Sequence, residues 1–363
     1  MRRIGTVMMA RMRAIRLLPL LLMPAVVLAA GRGTPQTVKR SPIEIPAERH
    51  LKNIKQLTDG GENAEAYFSF DGARLSFQST RGSHGCDQIY TMKIDGTDLH
   101  LITGDKGRTT CSFYYPDGKH LLFASTKLGG DPCPPPPDQA QGYVWAVYDT
   151  YDIFRTDPDG SNSVRLTNTP GYDAEATIAK DGRVVFTSVR DGDMEIYSMN
   201  GDGTDVRRLT NLPGPDGGAF FSPDGSQIVF RGYHPPKGPD LDSFYTLLNK
   251  ALWRPTSLEI YVMNRDGSNL RQVTHFGKAN WAPYWTPDGK RIIFASNMKD
   301  PAQRNFDLFL VNLDGTGLEQ VTYNETFDGF PMFSPDGKKL VFASNRHDTN
   351  GTDTNIFIAD WQN

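Results

Sequence analysis

Three cysteines, Cys86, Cys111 and Cys133, are too few for a disulfide scaffold, and none sits in a C-x-x-C pair. Their odd number allows one bridge with one thiol left over, and their spacing does not select the pair. A basic surplus is also missing. Lys and Arg number 39 against 42 Asp and Glu, so nucleic acid is not expected as a partner. The chain has no G-x-S-x-G elbow, no H-E-x-x-H and no phosphate-binding glycine loop. Its seven histidines are scattered rather than grouped at ligand spacing. These absences leave no ready-made catalytic constellation.

Long apolar runs are scarce too. Residues 17–30 form one, preceded by Arg2, Arg3, Arg11, Arg13 and Arg16 and closed by Ala29, Ala30 and Gly31. Basic, apolar, then small is the order of a secretory signal, and the run is short for a membrane span. The expected organisation is a signal peptide over 1–30, a polar linker over 31–48 and one ordered domain over 49–363. A periplasmic or secreted monomer with no membrane span after cleavage is expected. Export makes a disulfide permissible.

Glycine (35 residues) and proline (25) are plentiful, and they punctuate a repeat. Six units each place an Asp-Gly turn between two strands, at Asp71-Gly72, Asp117-Gly118, Asp181-Gly182, Asp224-Gly225, Asp288-Gly289 and Asp336-Gly337. A second Asp-Gly turn follows in five of them, at Asp95, Asp159, Asp202, Asp266 and Asp314. Asp-Gly supplies the positive φ that a tight hairpin needs, and β-branched and aromatic residues fill the strands between. Four antiparallel strands per unit, repeated, predict an all-β six-bladed propeller. The last unit stops at a third strand, Ile356-Phe357-Ile358, while the domain begins with an orphan fourth strand, Ile54-Lys55-Gln56-Leu57-Thr58. The N-terminal strand is therefore expected to complete the last blade, which removes the open sheet edges. Asp157 to Asn162 lacks the distal Glu of a calcium loop and reads as a hairpin turn.

The Ser-Pro-Asp-Gly turn, the Asp/Glu-Ile-Tyr third strand and the Arg-x-Leu/Val-Thr fourth strand resemble the WD-like repeats of TolB-type propellers. The resemblance covers about residues 49–363 and is to the propeller alone, without the TolB N-terminal domain or a peptidase domain. It implies an exported binding or scaffold module for a protein, peptide or glycan. The same fold also implies two alternatives: a propeller enzyme of the polysaccharide lyase or hydrolase kind, or the propeller partner of a separate peptidase.

Both Asp-Gly turns of a unit fall on one face of the ring, here the turn face. The opposite face carries two long insertions, 127–151 and 231–257, and is here the insertion face. The insertions bring Tyr143, Trp145, Tyr233, His234, Tyr245 and Trp253, expected either to wall a ligand pocket over the channel or to cap the rim as packing. Aligned on the strand preceding each turn, one column reads Asn63, Thr109, Asp173, Asp216, Asn280 and Asp328. Two residues later the column reads Glu65, Cys111, Glu175, Gly218, Ala282 and Phe330. The first column is read either as an acid-rich ring at the channel mouth, suited to a divalent cation or cationic ligand, or as polar caps holding strand entrances. Glu65 and Glu175 would deepen the charge, Arg108 and His275 would balance it, and Trp281 would join the lining. No cofactor is expected beyond that cation.

Overall fold

The computed structural model describes residues 42–104, 106–348 and 353–363; the expected signal peptide and the expected linker up to residue 41 lie outside the described residues. Strand β1 (Leu51–Gln56) comes first. Blade 1 is β2 (Asn63–Phe68), β3 (Arg74–Ser79), β4 (Gln88–Lys93) and β5 (His100–Leu101). Blade 2 is β6 (Thr109–Tyr114), β7 (Leu121–Ser125), β9 (Asp152–Thr156) and β10 (Val164–Arg165), with β8 (Trp145–Ala146) in its insertion. Blade 3 is β11 (Asp173–Ile178), β12 (Arg183–Ser188), β13 (Glu195–Asn200) and β14 (Arg207–Arg208). Blade 4 is β15 (Asp216–Phe221), β16 (Gln227–Gly232), β18 (Glu259–Asn264) and β19 (Arg271–Gln272). Helix α1 (Pro239–Leu248) and β17 (Leu252–Trp253) lie in the blade 4 insertion. Blade 5 is β20 (Asn280–Trp285), β21 (Arg291–Ser296), β22 (Asp307–Asn312) and β23 (Glu319–Gln320). Blade 6 is β24 (Asp328–Phe333), β25 (Lys339–Ser344), β26 (Asn355–Trp361) and β1, in the order β1-β26-β25-β24. Six sheets of four antiparallel strands and closure by the N-terminal strand agree with the repeat. Among the described residues no helix is long and apolar enough to cross a membrane.

The repeat motifs have a common physical meaning. The first residue of the third strand in blades 1 to 5 accepts a hydrogen bond from a threonine two residues past the fourth strand: Gln88 from Thr103, Asp152 from Thr167, Glu195 from Thr210, Glu259 from Thr274 and Asp307 from Thr322. The same hydroxyl then accepts from the next backbone N–H, at Ile89, Ile153, Ile196, Ile260 and Leu308, over 2.8–3.0 Å. In blade 6 the latch joins the two ends of the domain. Thr58 donates to Asn355 over 3.0 Å and accepts from the Ile356 N–H over 2.9 Å. Each fourth strand is thereby held at a point where buried polar groups satisfy one another.

A second pattern fills the blades. Phe77, Phe123, Phe186, Phe230, Phe294 and Phe342 occupy one position of the second strand, and all are buried. Each lies beside a third-strand ring, Tyr90, Phe154, Tyr197, Tyr261, Phe309 or Phe357, at centroid distances of 5.6–6.0 Å. A cation closes four of these stacks: Arg81, Lys127, Arg190 and Arg346.

Residues 43–50, partly read as linker, pack on blades 5 and 6. Arg346 donates to both carboxylate oxygens of the buried Glu48 at 2.9 Å, and to the Ile43 carbonyl at 3.0 Å. His50 stacks on Trp361 at 4.8 Å and meets Glu319 over 2.6 Å. Glu319 also receives Arg49 and Arg291, and these partners hold its carboxyl at about 2 despite partial burial. Cys86 and Cys133 form the disulfide, tying the first insertion to blade 1, and Cys111 is the free thiol.

Candidate functional site: the two ends of the channel

The innermost strands carry the channel lining, and all six bulge at the same place. Register shifts fall between Ala64 and Tyr67, Thr110 and Phe113, Ala174 and Thr177, Gly217 and Phe220, Trp281 and Tyr284, and Gly329 and Met332. The bulged residues are Glu65, Cys111, Glu175, Gly218, Ala282 and Phe330, with φ between +46° and +62°. This is the second aligned column. A bulge re-aims the residue that carries it, and here all six line one chamber at the insertion end of the channel.

The first column lies elsewhere, and this corrects the acid-rich ring. Asp173, Asp216 and Asp328 are buried inside their blades. Asp173 pairs with Arg190 at 2.9 Å, Asp216 with His234 at 2.8 Å and Asp328 with Arg346 at 2.9 Å. Asn63 accepts from Arg81 over 2.7 Å in blade 1. Each partner stands two residues after the end of the second strand. The column is a set of strand-entrance braces, not a ligand surface. The signal that finds it is the Ser-x-Arg sequence at Ser79-x-Arg81, Ser188-x-Arg190 and Ser344-x-Arg346.

The chamber at the insertion end has a volume of about 70 Å³. Glu175 pairs with Arg231 and accepts from Thr187 (2.7 Å) and the Gly218 N–H (3.0 Å). Glu65 accepts from the Tyr67 hydroxyl over 3.2 Å. Burial, with the charge of Glu175, pushes its carboxyl up to about 7 against the opposing Cys111 thiol and Tyr67 hydroxyl bonds. Burial and the same two carboxylates hold the Cys111 thiol well above its ordinary range. Sequence reasoning missed Arg231, which reaches across from β16 into space left by Gly218; a Cβ there would overlap its guanidinium.

The two insertions do not wall an open pocket. They meet, and β8 pairs with β17 in an antiparallel ribbon, Trp253 opposite Trp145 and Leu252 opposite Ala146. Trp145 packs 5.6 Å from Trp253 and 5.1 Å from Trp281, and Arg231 lies 5.6 Å from the Trp253 ring centre. Trp253 and Trp281 are buried, so these expected contact aromatics are the interior of a lid. Tyr245 is tied down by a 2.7 Å bond to Asp193, and Tyr233 by a 3.2 Å bond to Asp240. His234 is committed to Asp216. Tyr143 alone of the expected insertion residues is exposed, at 53%. Arg108 sits outside the chamber, 3.7 Å from Asp87, and His275 is exposed on its loop. Among the described residues no group of three His, Cys, Asp or Glu is placed to hold a metal ion. The Asp157 loop is a hairpin turn, with Asp159 accepting from the Ser161 N–H.

The turn end of the channel is different in kind. It opens as a funnel of about 170 Å³ lined by Phe70, Phe113, Phe220, Tyr284 and Met332, with serines and prolines of the Asp-Gly turns at its rim. Phe220 and Thr177 border both this funnel and the chamber. Phe220 contacts Tyr67 at 5.5 Å and Tyr284 at 5.2 Å between ring centres, so the apolar floor is built from several blades. Sequence reasoning placed no site here. The usable signal was the run of aromatic residues at the ends of innermost strands, Phe70, Phe113, Phe220 and Phe221, facing a turn.

A closed six-bladed propeller, lidded at one end and open at the other, is the class that fold and channel define. Residues 253–358 match the TolB beta propeller domain family. The fold is similar to TolB from Acinetobacter baumannii at 18% identity and TM-score 0.53, covering 83% of this chain and 64% of that one. This chain thus spans less than two thirds of that protein. A putative TolB from Agrobacterium tumefaciens is also similar, at 18% identity and TM-score 0.55, with 85% and 97% covered. So is a gluconolactonase from Xanthomonas campestris, at 14% identity and TM-score 0.56, with 89% and 95% covered. At these identities the likeness is one of fold.

Proposed function

We propose that this protein is an exported binding module that captures a protein or peptide by seating an apolar side chain in the turn-face funnel. The observation that carries this reading is the contrast between the channel ends: the β8–β17 ribbon crosses one, while the other carries no insertion and is lined by aromatic rings. A concave, largely apolar site with a polar rim is the usual form of a binding pocket. A cavity near 150 Å³ holds a benzene-sized group, so a funnel of about 170 Å³ suits one aromatic or branched aliphatic anchor. Phe70, Phe113, Phe220 and Tyr284 supply the apolar contact such an anchor needs. Export is supported by the Cys86–Cys133 bridge, since such bonds persist in oxidising compartments.

The test begins with peptides selected by display against the full chain, their affinity then measured by calorimetry. Phe70 is half-buried at the funnel wall, 6.2 Å from Phe113. Phe70→Glu is expected to weaken a selected peptide at least about tenfold, the equivalent of about 1.4 kcal/mol. Tyr143→Ala, on the other face, should leave it unchanged. Unaltered affinity in Phe70→Glu, or a loss confined to Tyr143→Ala, overturns the reading.

A further inference from the structure

The chamber beneath the ribbon holds more acid than base. Arg231 is committed to Glu175. Glu65 has hydrogen-bond partners but no cation of its own. The groups that face it are Tyr67 on its own strand, Cys111 on β6, Glu175 on β11 and Arg231 on β16. The equivalent positions on β15, β20 and β24 are Gly218, Ala282 and Phe330, and the ribbon contributes Trp145; none carries charge. A neutral Glu65 fits this enclosure. An ionised one sets two carboxylates against one guanidinium in about 70 Å³, where a low-dielectric surround makes the excess charge costly.

The ribbon is the wall with the fewest backbone hydrogen bonds, and Val147 and Trp253 pack it onto the core beside Trp281. It has two residue pairs, one flanking N–H bond from Val147 to Ala251 (2.8 Å) and one from Arg254 to the Gln141 carbonyl (2.6 Å). The other walls are innermost strands of six-bladed sheet structure. Relief of the charge by water is therefore easiest by parting the ribbon. We propose that the β8–β17 ribbon is a proton-latched lid, shut over the channel while Glu65 keeps its proton and released when Glu65 loses it. The lid decides whether the channel is blind or open at both ends, which goes beyond the binding reading and stands or falls independently of it.

Hydrogen exchange of the Val147 amide in the full chain, corrected for intrinsic rates and compared with the Ile153 amide inside blade 2, reads the lid directly. Between about pH 5.5 and 8.5 Val147 should lose at least about tenfold protection relative to Ile153. The ceiling over that range is about 30-fold, reached if opening returns Glu65 from about 7 to its ordinary 4.5. Glu65→Gln keeps the shape and both hydrogen bonds but cannot ionise, and it should hold Val147 protected at both pH values. Val147 protection that tracks Ile153 across the range in the unmodified protein overturns the proposal, whatever the variant does. So does an undiminished pH response in a folded Glu65→Gln.

Discussion

Arg346→Met is expected to lower the unfolding free energy by about 3–5 kcal/mol at neutral pH, the loss typical of breaking a buried ion pair from one side. Arg346, Glu48 and Asp328 are fully buried at the side-chain level, and the guanidinium serves both carboxylates. Its removal strands two desolvated negative charges beside Asp307, which burial and the charge of Asp328 already push up to about 7. The pH dependence has a definite sign. Burial already raises the folded-state pKa of Glu48, and without the guanidinium it rises further above its unfolded value. Its protonation then stabilises the fold, so the deficit should be smaller near pH 5 than near pH 8. Denaturant unfolding at the two pH values checks both parts. A loss under about 1 kcal/mol, or one independent of pH, would show that the N-terminal segment is not anchored by this triad.

Gly218→Ala carries the second large effect. Gly218 has φ +62°, and a Cβ there would overlap the Arg231 guanidinium. The backbone conformation alone costs an alanine about 1 kcal/mol. Displacing Arg231 also breaks its pair with Glu175, which is largely buried and would lose that cation. Together a loss of about 3 kcal/mol or more is expected, accompanied by a change in tryptophan emission as Arg231 leaves Trp253. At the bulge of blade 5 an alanine, Ala282, stands at φ +46°, and Ala295 occupies the position that Arg231 holds in blade 4. A variant with parent-like stability and unchanged emission would mean that Arg231 does not fill the position over Gly218.

The repeat made the fold readable. Asp-Gly turns, the acid-Ile-Tyr strand and the Leu/Val-Thr strand recur because each encodes a local bond within one blade, and local bonds survive in linear order. Closure was readable for the same reason: Thr58 meets Asn355 and Ile356 by the bonds that other blades make internally. The channel was harder. Both aligned columns were visible, but their roles depended on a bulge that turns Glu65 and Glu175 into the chamber and leaves Asp173, Asp216 and Asp328 facing Arg190, His234 and Arg346 of their own blades. That distinction is a matter of φ at one residue, which composition does not reveal. The pairing of Trp145 with Trp253 joins residues more than a hundred positions apart with no shared motif. The choice of Cys86 and Cys133 over Cys111 likewise depends on where the first insertion folds back.

The central claim is that the turn-face funnel, and not the insertion face, is where a partner is gripped. Amide hydrogen exchange of the full chain with and without a saturating display-selected peptide tests it most directly. The account predicts new protection at residues 68–70, 177–180 and 220–223 around the funnel, with the insertions 127–151 and 231–257 unchanged. Protection concentrated in those insertions, with the funnel segments exchanging as in the free protein, would contradict it.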